Sequence, residues 1–328
     1  MNYELLLHRA LELYGLQALD THLLHHSDKR VYKVCTESGD YVLYMYTPAV
    51  GTAFDERNEP YNRPEALAAE TEVLERLAKE APELGTQRVL RTTNGDVIAY
   101  VDGIPARVSN YIQGAPLSEQ EGGPLFSKQA YMAGVACAQL HNFAEKAGLE
   151  ICKGRPDHRQ SYLRDMLASL SRHHDAHRMT DAQFSAIERG GAAILDCMDA
   201  LSAAGRVGFV HTDLRSANFI DDGSRAVPID FSRSTLGFPL FDLGEMCMHM
   251  GGAPVQRQIL KGYDTLRPLN EFSLHCIEAF AVMFILFVCN DFLNNSGHEE
   301  WLEVNLPRIE HYFVPGLMDG TLVPRDFR

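Results

Sequence analysis

Polar and apolar positions alternate along the chain in two rhythms, and the first belongs to a helix. "MNYELLLHRALELYG" is apolar with Glu4 and Glu12 set inside the pattern and without a basic leader, so it predicts an amphipathic helix and not a signal peptide. In "RVYKVCTESGDYVLYMY", β-branched and aromatic residues lie on both sides of Glu37-Ser38-Gly39-Asp40, which predicts a hairpin. "RPEALAAETEVLERLAKEAPELG" predicts a helix from near Pro64, with Leu67, Leu74 and Leu77 on one face and Gly85 beyond its end. "QRVLRTTNGDVIAYVDGIPARVSNYIQG" returns to strands, with Asn94-Gly95 as the expected tight hairpin turn.

From about Ser118 the helical rhythm takes over in "SKQAYMAGVACAQLHNFAEKAG", "DHRQSYLRDMLASLSRHHDAH" and "DAQFSAIERGGAAILDCMDALSAAG". Short strands are expected at Val207 to Val210, Phe219 to Ile220 and Val227 to Ile229, after which helices resume to Val314. The most apolar run, Ala279 to Cys289, has eleven residues between Glu278 and Asp291. A bilayer needs about 20, so it reads as a buried core helix. The plan is α+β and two-lobed: an antiparallel-sheet lobe over residues 1–112, a connector near Tyr111-Ile112-Gln113-Gly114, and a larger helical lobe over 113–328. A cleft between lobes is expected, the usual seat of a small ligand.

Composition narrows the function. With 328 residues, 45% hydrophobic and 23% charged, the chain has the make-up of an ordinary globular protein large enough for two lobes. Lys and Arg number 30 against 44 Asp and Glu, a net charge of −14, which disfavours a nucleic-acid partner and suits cationic small molecules. Seven scattered cysteines include no C-x-x-C pair, so neither a disulfide framework nor a zinc site is indicated and reduced cytoplasmic thiols are expected; the shortness of the apolar run argues against a membrane partner. His173, His174 and His177 have helical ligand spacing but no third ligand from another element, so they read as a polar face. His22, His25 and His26 read the same way in the first loop, and Trp301 reads as helix packing.

Chemistry concentrates in "FVHTDLRSANFIDDGSRAVPIDFSRS", where Asp213 is followed by Asn218 and then by Asp230. Phosphoryl transfer needs a carboxylate beside the attacking hydroxyl and hard oxygen ligands for Mg2+ on the phosphates. Asp213 is expected to orient the acceptor hydroxyl and take its proton, with the Asn218 amide oxygen and the Asp230 carboxylate as metal ligands.

This segment resembles the aminoglycoside phosphotransferase and choline kinase family, which has the protein-kinase-like fold. The family's catalytic loop, roughly H-G-D-L-H-x-x-N, stands here as "HTDLRSAN", His211 to Asn218. Its metal segment stands as "IDFSRSTLGFPLFDL", Ile229 to Leu243, with Arg233 three positions after Asp230 as in the antibiotic kinases. The resemblance implies Mg2+-dependent transfer of the γ-phosphate of ATP or GTP to a hydroxyl of an amino alcohol, aminoglycoside or sugar-like molecule. It also implies that Asp242 braces the catalytic loop, where sequence alone equally supports a helix N-terminal charge. Glu70 is implied to pair with a phosphate-holding lysine of the third strand, the alternative being a solvated helix residue.

The chain departs from that pattern in several places. "YVLYMY" puts Tyr44 where the lysine or arginine belongs, and tyrosine stacks or donates one hydrogen bond but brings no charge. Lys33 on the preceding strand either reaches the cleft or faces solvent. Ser27 and Asp28 take the place of a small polar pair in the nucleotide-covering loop, whose N–H groups would cradle a phosphate. Thr212 replaces a glycine and Arg215 a histidine; Arg215 is expected on the γ-phosphate, or else in a surface ion pair with Asp221 or Asp222. The presence of Asp213, Asn218 and Asp230 favours an active kinase over a catalytically degenerate binding or regulatory protein. The interval from Asp230 to Asp242 is too short for a peptide-docking platform, which disfavours a protein acceptor. Glu245, Asp264, Glu271 and Asp291 are the acidic candidates for holding a cationic acceptor.

Overall fold

The structure is a computed structural model that describes residues 2–26, 29–46, 64–120 and 126–328. The chain divides into two compact units, Met1–Gly114 with Lys153–Arg155, and Ala115–Cys152 with Pro156–Arg328.

The first unit opens on α1 (Tyr3–Leu13), whose free N–H of Leu5 is capped by the Asn2 side chain at 3.2 Å. Five antiparallel strands follow: β1 (Asp20–His26), β2 (Arg30–Thr36), β3 (Gly39–Met45), β4 (Ala99–Val101) and β5 (Ile104–Asn110), in the order β1-β2-β3-β5-β4. α2 (Pro64–Glu80) lies in sequence between β3 and β4. Strand alternation splits the apolar residues between two faces. Tyr32, Val34, Leu43, Met45, Ala106 and Val108 pack with Leu6, Leu7, Ala10 and Leu11 of α1. Val31, Val42, Tyr44 and Tyr46 pack with Leu67 of α2.

Two sequence expectations shift here. His22, His25 and His26 belong to strand β1 and not to a loop; β1 is an edge strand with almost every side chain exposed, so it carries no buried alternation to read. The turn that joins β4 to β5 is Asp102-Gly103, with φ of 52° and 81°, the pair of positive values a two-residue hairpin turn needs. Asn94-Gly95 closes a local turn instead, in which the Thr92 N–H donates to the Asp96 carbonyl at 2.7 Å.

The second unit contains β6 (Ala115–Pro116), α3 (Phe126–Ala147), α4 (Gln160–Asp175), α5 (Asp181–Ala203), β7 (Gly208–Val210), β8 (Phe219–Asp221), β9 (Ala226–Pro228), β10 (Thr235–Gly237), α6 (Leu240–His249), α7 (Ala253–Asp264), α8 (Glu271–Asn294), α9 (Glu299–Arg308) and α10 (Val314–Asp319). β6, β8 and β9 form one small sheet, and β7 pairs with β10. At two and three residues, β6 and β10 are too short to register as a period. The eleven-residue apolar run is the centre of α8, whose 24 residues are long and apolar enough by composition to cross a membrane. Two thirds of that stretch is buried, with Cys276, Phe280, Met283 and Leu286 against Ile187, Ile194 and Met198 of α5. A helix apolar on all sides is what a core position requires.

The histidines of α4 have ordinary polar partners: His173 bonds Asn294 at 3.0 Å, and His174 bonds Asp181 at 2.9 Å while stacking on Phe184. Trp301 packs edge-on against Phe292, centroids 5.0 Å apart. All seven cysteines are free thiols, six of them buried.

α3 and α7 cross at two glycines. A Cβ on Gly134 would lie 2.1 Å from the Ile259 carbonyl oxygen, and one on Gly262 would lie 2.1 Å from that of Tyr131. Backbone cannot yield as a side chain can. Gly262→Ala should therefore cost about 3 kcal/mol, the upper end of the usual overpacking range, and lower the melting temperature by several degrees in a calorimetric scan. An unchanged melting temperature would show that the two helices separate freely.

Candidate active site

The loop from His211 to Asn218 hangs from β7 and runs through Asp213 into a single helical turn, Ser216–Asn218, before β8 begins. The β8–β9 ladder pairs Phe219 with Pro228, and it continues one step further, where the Ile229 N–H donates to the Asn218 carbonyl at 2.9 Å. The twelve-residue spacing between Asn218 and Asp230 is thus the length of a hairpin, and both residues stand at its open end. The Asn218 side-chain N–H donates to the Asp213 backbone carbonyl at 2.8 Å, which ties the loop to the hairpin and leaves the amide oxygen as the remaining ligand atom. Asp230 has a left-handed backbone, φ 63° and ψ 65°, and accepts from the Ser232 hydroxyl at 2.6 Å. Such strain in a non-glycine residue is typical of a functional position.

Thr212 has φ 58°, unfavourable for a β-branched side chain and natural for the glycine that the family pattern carries there. Two hydrogen bonds hold it: its N–H donates to Asp242 Oδ1 at 2.8 Å and its hydroxyl to the Arg233 carbonyl at 2.6 Å. The His211 N–H donates to Asp242 Oδ2 at 3.0 Å. Asp242 is fully buried in the first turn of α6, and its Oδ2 also lies 3.0 Å from His141 Nε2. The other nitrogen of His141 lies 2.9 Å from the Tyr263 hydroxyl. With the tyrosine donating to Nδ1, Nε2 carries the proton toward Asp242, and the carboxylate receives three N–H groups.

Glu245, three residues further along α6, is buried and accepts from the Leu214 N–H at 3.1 Å. Burial, then the neighbouring Asp213 and Asp242 carboxylates, push its pKa well above the carboxylate range. Glu245 therefore lies beneath the loop and not on an acceptor surface. The other acidic candidates are also engaged locally: Asp264 accepts from the Leu269 N–H at 2.8 Å and pairs with Arg328 at 3.2 Å, Glu271 lies 3.4 Å from Arg325, and Asp291 accepts from Asn295 at 3.3 Å.

Arg215 does not pair with Asp221 or Asp222. Its Nε lies 3.4 Å from Asp213 Oδ1, while Asp222 pairs with Arg225 at 2.9 Å and Asp221 accepts from Gln129 at 3.0 Å.

In the first unit, the expected nucleotide-site residues have these surroundings. Lys33 is partly exposed and paired: its Nζ is 2.9 Å from Asp40 Oδ2 and 4.4 Å above the Tyr111 ring, and the Asp40 hydrogen bond raises its pKa. Ser27 lies outside the described residues. Tyr44 is buried and donates its hydroxyl proton to Gln87 Oε1 at 2.9 Å. Glu70 is buried, not solvated, and its partner is not a residue of β3. Arg107 of β5 takes that place, with Nη1 2.9 Å from Glu70 Oε1 and its guanidinium 4.7 Å from the centre of the Tyr44 ring. Burial works against the Arg107 charge, but Glu70, Tyr46 and Tyr44 outweigh it and raise the pKa. Sequence reading missed Arg107, and also His141 and Tyr263. The available signals were an arginine inside the otherwise apolar "IPARVSN" and a histidine on the apolar face of α3.

A sheet unit with a carboxylate-bearing helix, followed by a larger helical unit whose loop presents Asp213, Asn218 and Asp230, is the protein-kinase-like fold, and solved structures share it across the chain. A family model described as the phosphotransferase enzyme family, APH, matches residues 22–272, and the chain belongs to that family. An amicoumacin kinase in complex with AMP-PNP and Ca2+ is 15% identical, with a TM-score of 0.65 over 100% of this chain and 96% of that one. A microcompartment-associated aminopropanol kinase is 17% identical, with a TM-score of 0.70 over 97% and 99%. A choline/ethanolamine kinase family protein from Mesorhizobium loti is 16% identical, with a TM-score of 0.64 over 97% and 99%. At these identities the likeness is one of fold. No curated protein sequence matches the chain significantly.

Proposed function

We propose that this small-molecule phosphotransferase moves the γ-phosphate of ATP or GTP to a hydroxyl of a small cationic acceptor, with amino alcohols as the first class to test. The observation that carries the reading is the arrangement of Asp213 on the braced loop with Asn218 and Asp230 at the open end of one hairpin. Their hard oxygens fit Mg2+, and Asn218 keeps its oxygen for a ligand because its N–H group is already committed. Asn218 and Asp230 would hold the ion, which when bound neutralises charge on the phosphates. Asp213 would orient the acceptor hydroxyl and take its proton as the new O–P bond forms and the nucleoside diphosphate departs. Arg215, with Nε beside Asp213, would offer its other donors to the transferring group. The kinases of similar fold named for aminopropanol and for choline or ethanolamine support an amine-bearing acceptor, as does the net charge of −14. Seven free thiols fit a reducing cytoplasm.

Tyr44 on β3 favours a second reading, a kinase fold that binds and regulates without transfer. Calorimetric titration with ATP and GTP, with and without Mg2+, followed by diphosphate release over a panel of amino alcohols, aminoglycosides and sugars, separates the two. Metal-dependent binding with turnover supports the kinase, binding without turnover across the panel supports the regulator, and no binding overturns both nucleotide readings. Asp230→Ala should weaken Mg-nucleotide binding by about tenfold or more, the loss of a charged ligand, and leave metal-free binding as in the parent. Parent-like affinity for the Mg complex would move the metal to other residues.

A further inference from the structure

We infer that Arg107 of β5, and no residue of β3, supplies the positive charge that holds the nucleotide phosphates in this chain, with Lys29 beside the β1–β2 turn as a second cation. The inference rests on the phosphotransferase reading and deepens it.

Tyr44 and Arg107 are directly opposed in the β3–β5 ladder, so their side chains stand side by side on one face of the sheet. The carboxylate expected to steady a phosphate-holding cation, Glu70, is present and buried, and its ion pair runs to Arg107 at 2.9 Å. One strand has lost the charge and its immediate neighbour carries it. Arginine suits the relocation, since its long stem reaches across one strand spacing and its planar fork can hold a carboxylate on one edge and a phosphate on the other. Arg107 is 2% exposed, and while Nη1 lies against Glu70, Nε has no hydrogen-bond partner among the described residues. Buried donors left in this state are costly and rare, and a phosphate oxygen would satisfy them. Lys29, also buried, has its Nζ 5.8 Å from the centre of the same Tyr44 ring. Arg107 and Lys29 thus stand on the same Tyr44 ring, with the Glu70 carboxylate on Arg107.

The test compares binding of ATP and of adenosine, each titrated calorimetrically into the parent, Arg107→Met and the exchange variant Tyr44→Lys/Arg107→Tyr, with thermal melting recorded for each. Arg107→Met should lose about 10- to 100-fold in ATP affinity, the size expected for charge-assisted bonds, and bind adenosine as the parent does. The exchange variant returns a cation to β3 and should recover most of the ATP affinity.

Parent-like ATP affinity in folded Arg107→Met would make Arg107 a structural partner of Glu70 alone and overturn the inference. Equal losses for ATP and adenosine would do the same, since general loosening does not discriminate phosphate. If Arg107→Met does not fold, Arg107→Gln keeps a polar side chain without the charge: a loss of about tenfold for ATP alone supports the inference, and no loss overturns it. A parent that binds neither ATP nor GTP would instead bring down the phosphotransferase reading, and this inference with it.

Discussion

Asp213→Asn is expected to lower turnover by about a thousandfold, within the range for removing a positioned general base, while leaving Mg-nucleotide affinity and melting temperature at the parent values. The selectivity follows from how the loop is held. Its tie to the β8–β9 hairpin runs through the Asp213 backbone carbonyl, which accepts from Asn218, and not through the carboxylate. Among the described residues, the carboxylate's close partner is the half-exposed Arg215 at 3.4 Å, an interaction worth little to folding. An asparagine can still hold a hydroxyl in place, but it takes no proton. Steady-state turnover with saturating nucleotide, beside calorimetric affinity, reads the two effects separately. Full activity in the variant would remove Asp213 from the chemistry.

Asp242→Asn should act on folding and turnover together. Its two oxygens receive the backbone N–H groups of His211 and Thr212 and face Nε2 of His141. An amide of the same shape keeps one oxygen and turns an NH2 toward a donor, so a fully buried N–H loses its acceptor. That costs about 2–4 kcal/mol in unfolding by denaturant, the range for stranding a buried group bonded to a charge. Thr212 is the most exposed to the loss, because its left-handed backbone is held in place only by such bonds. Turnover at a temperature where the variant remains folded should also fall, by about a hundredfold on the scale of misplaced catalytic groups. Parent-like turnover in the folded variant would reduce Asp242 to an ordinary core residue.

What the sequence discloses depends on how far apart the cooperating residues lie. His211 to Asp230 could be read because it is nearly contiguous and one short hairpin brings its ends together. The long helices were legible from their period, and α1, α2 and the β2–β3 hairpin fall where the pattern puts them. Arg107 was not legible for a specific reason. Its place opposite Tyr44 depends on the β3–β5 register, and β5 starts from the turn at Asp102-Gly103, whereas the pattern pointed to Asn94-Gly95. Two X-Gly dipeptides eight residues apart offer the same turn chemistry, and only the pairing of the strands chooses between them. His141 and Tyr263 are 122 residues apart in the chain, and no local rhythm links them.

The glycines at the crossing of α3 and α7 give the Asp213 loop an inherited sensitivity. Gly134 stands two helical turns before His141 on α3, and Gly262 adjoins Tyr263 on α7, so the close crossing is what lets the tyrosine hydroxyl reach the imidazole. A methyl group at either position would spread the helices and pull His141 away from Asp242. In a random-mutagenesis screen scored by phosphoryl transfer, positions 134 and 262 would therefore stand out beside 213 and 230. Inactivity at such sites would record lost helix spacing, and only the melting behaviour of each clone would distinguish a scaffold defect from a missing proton acceptor.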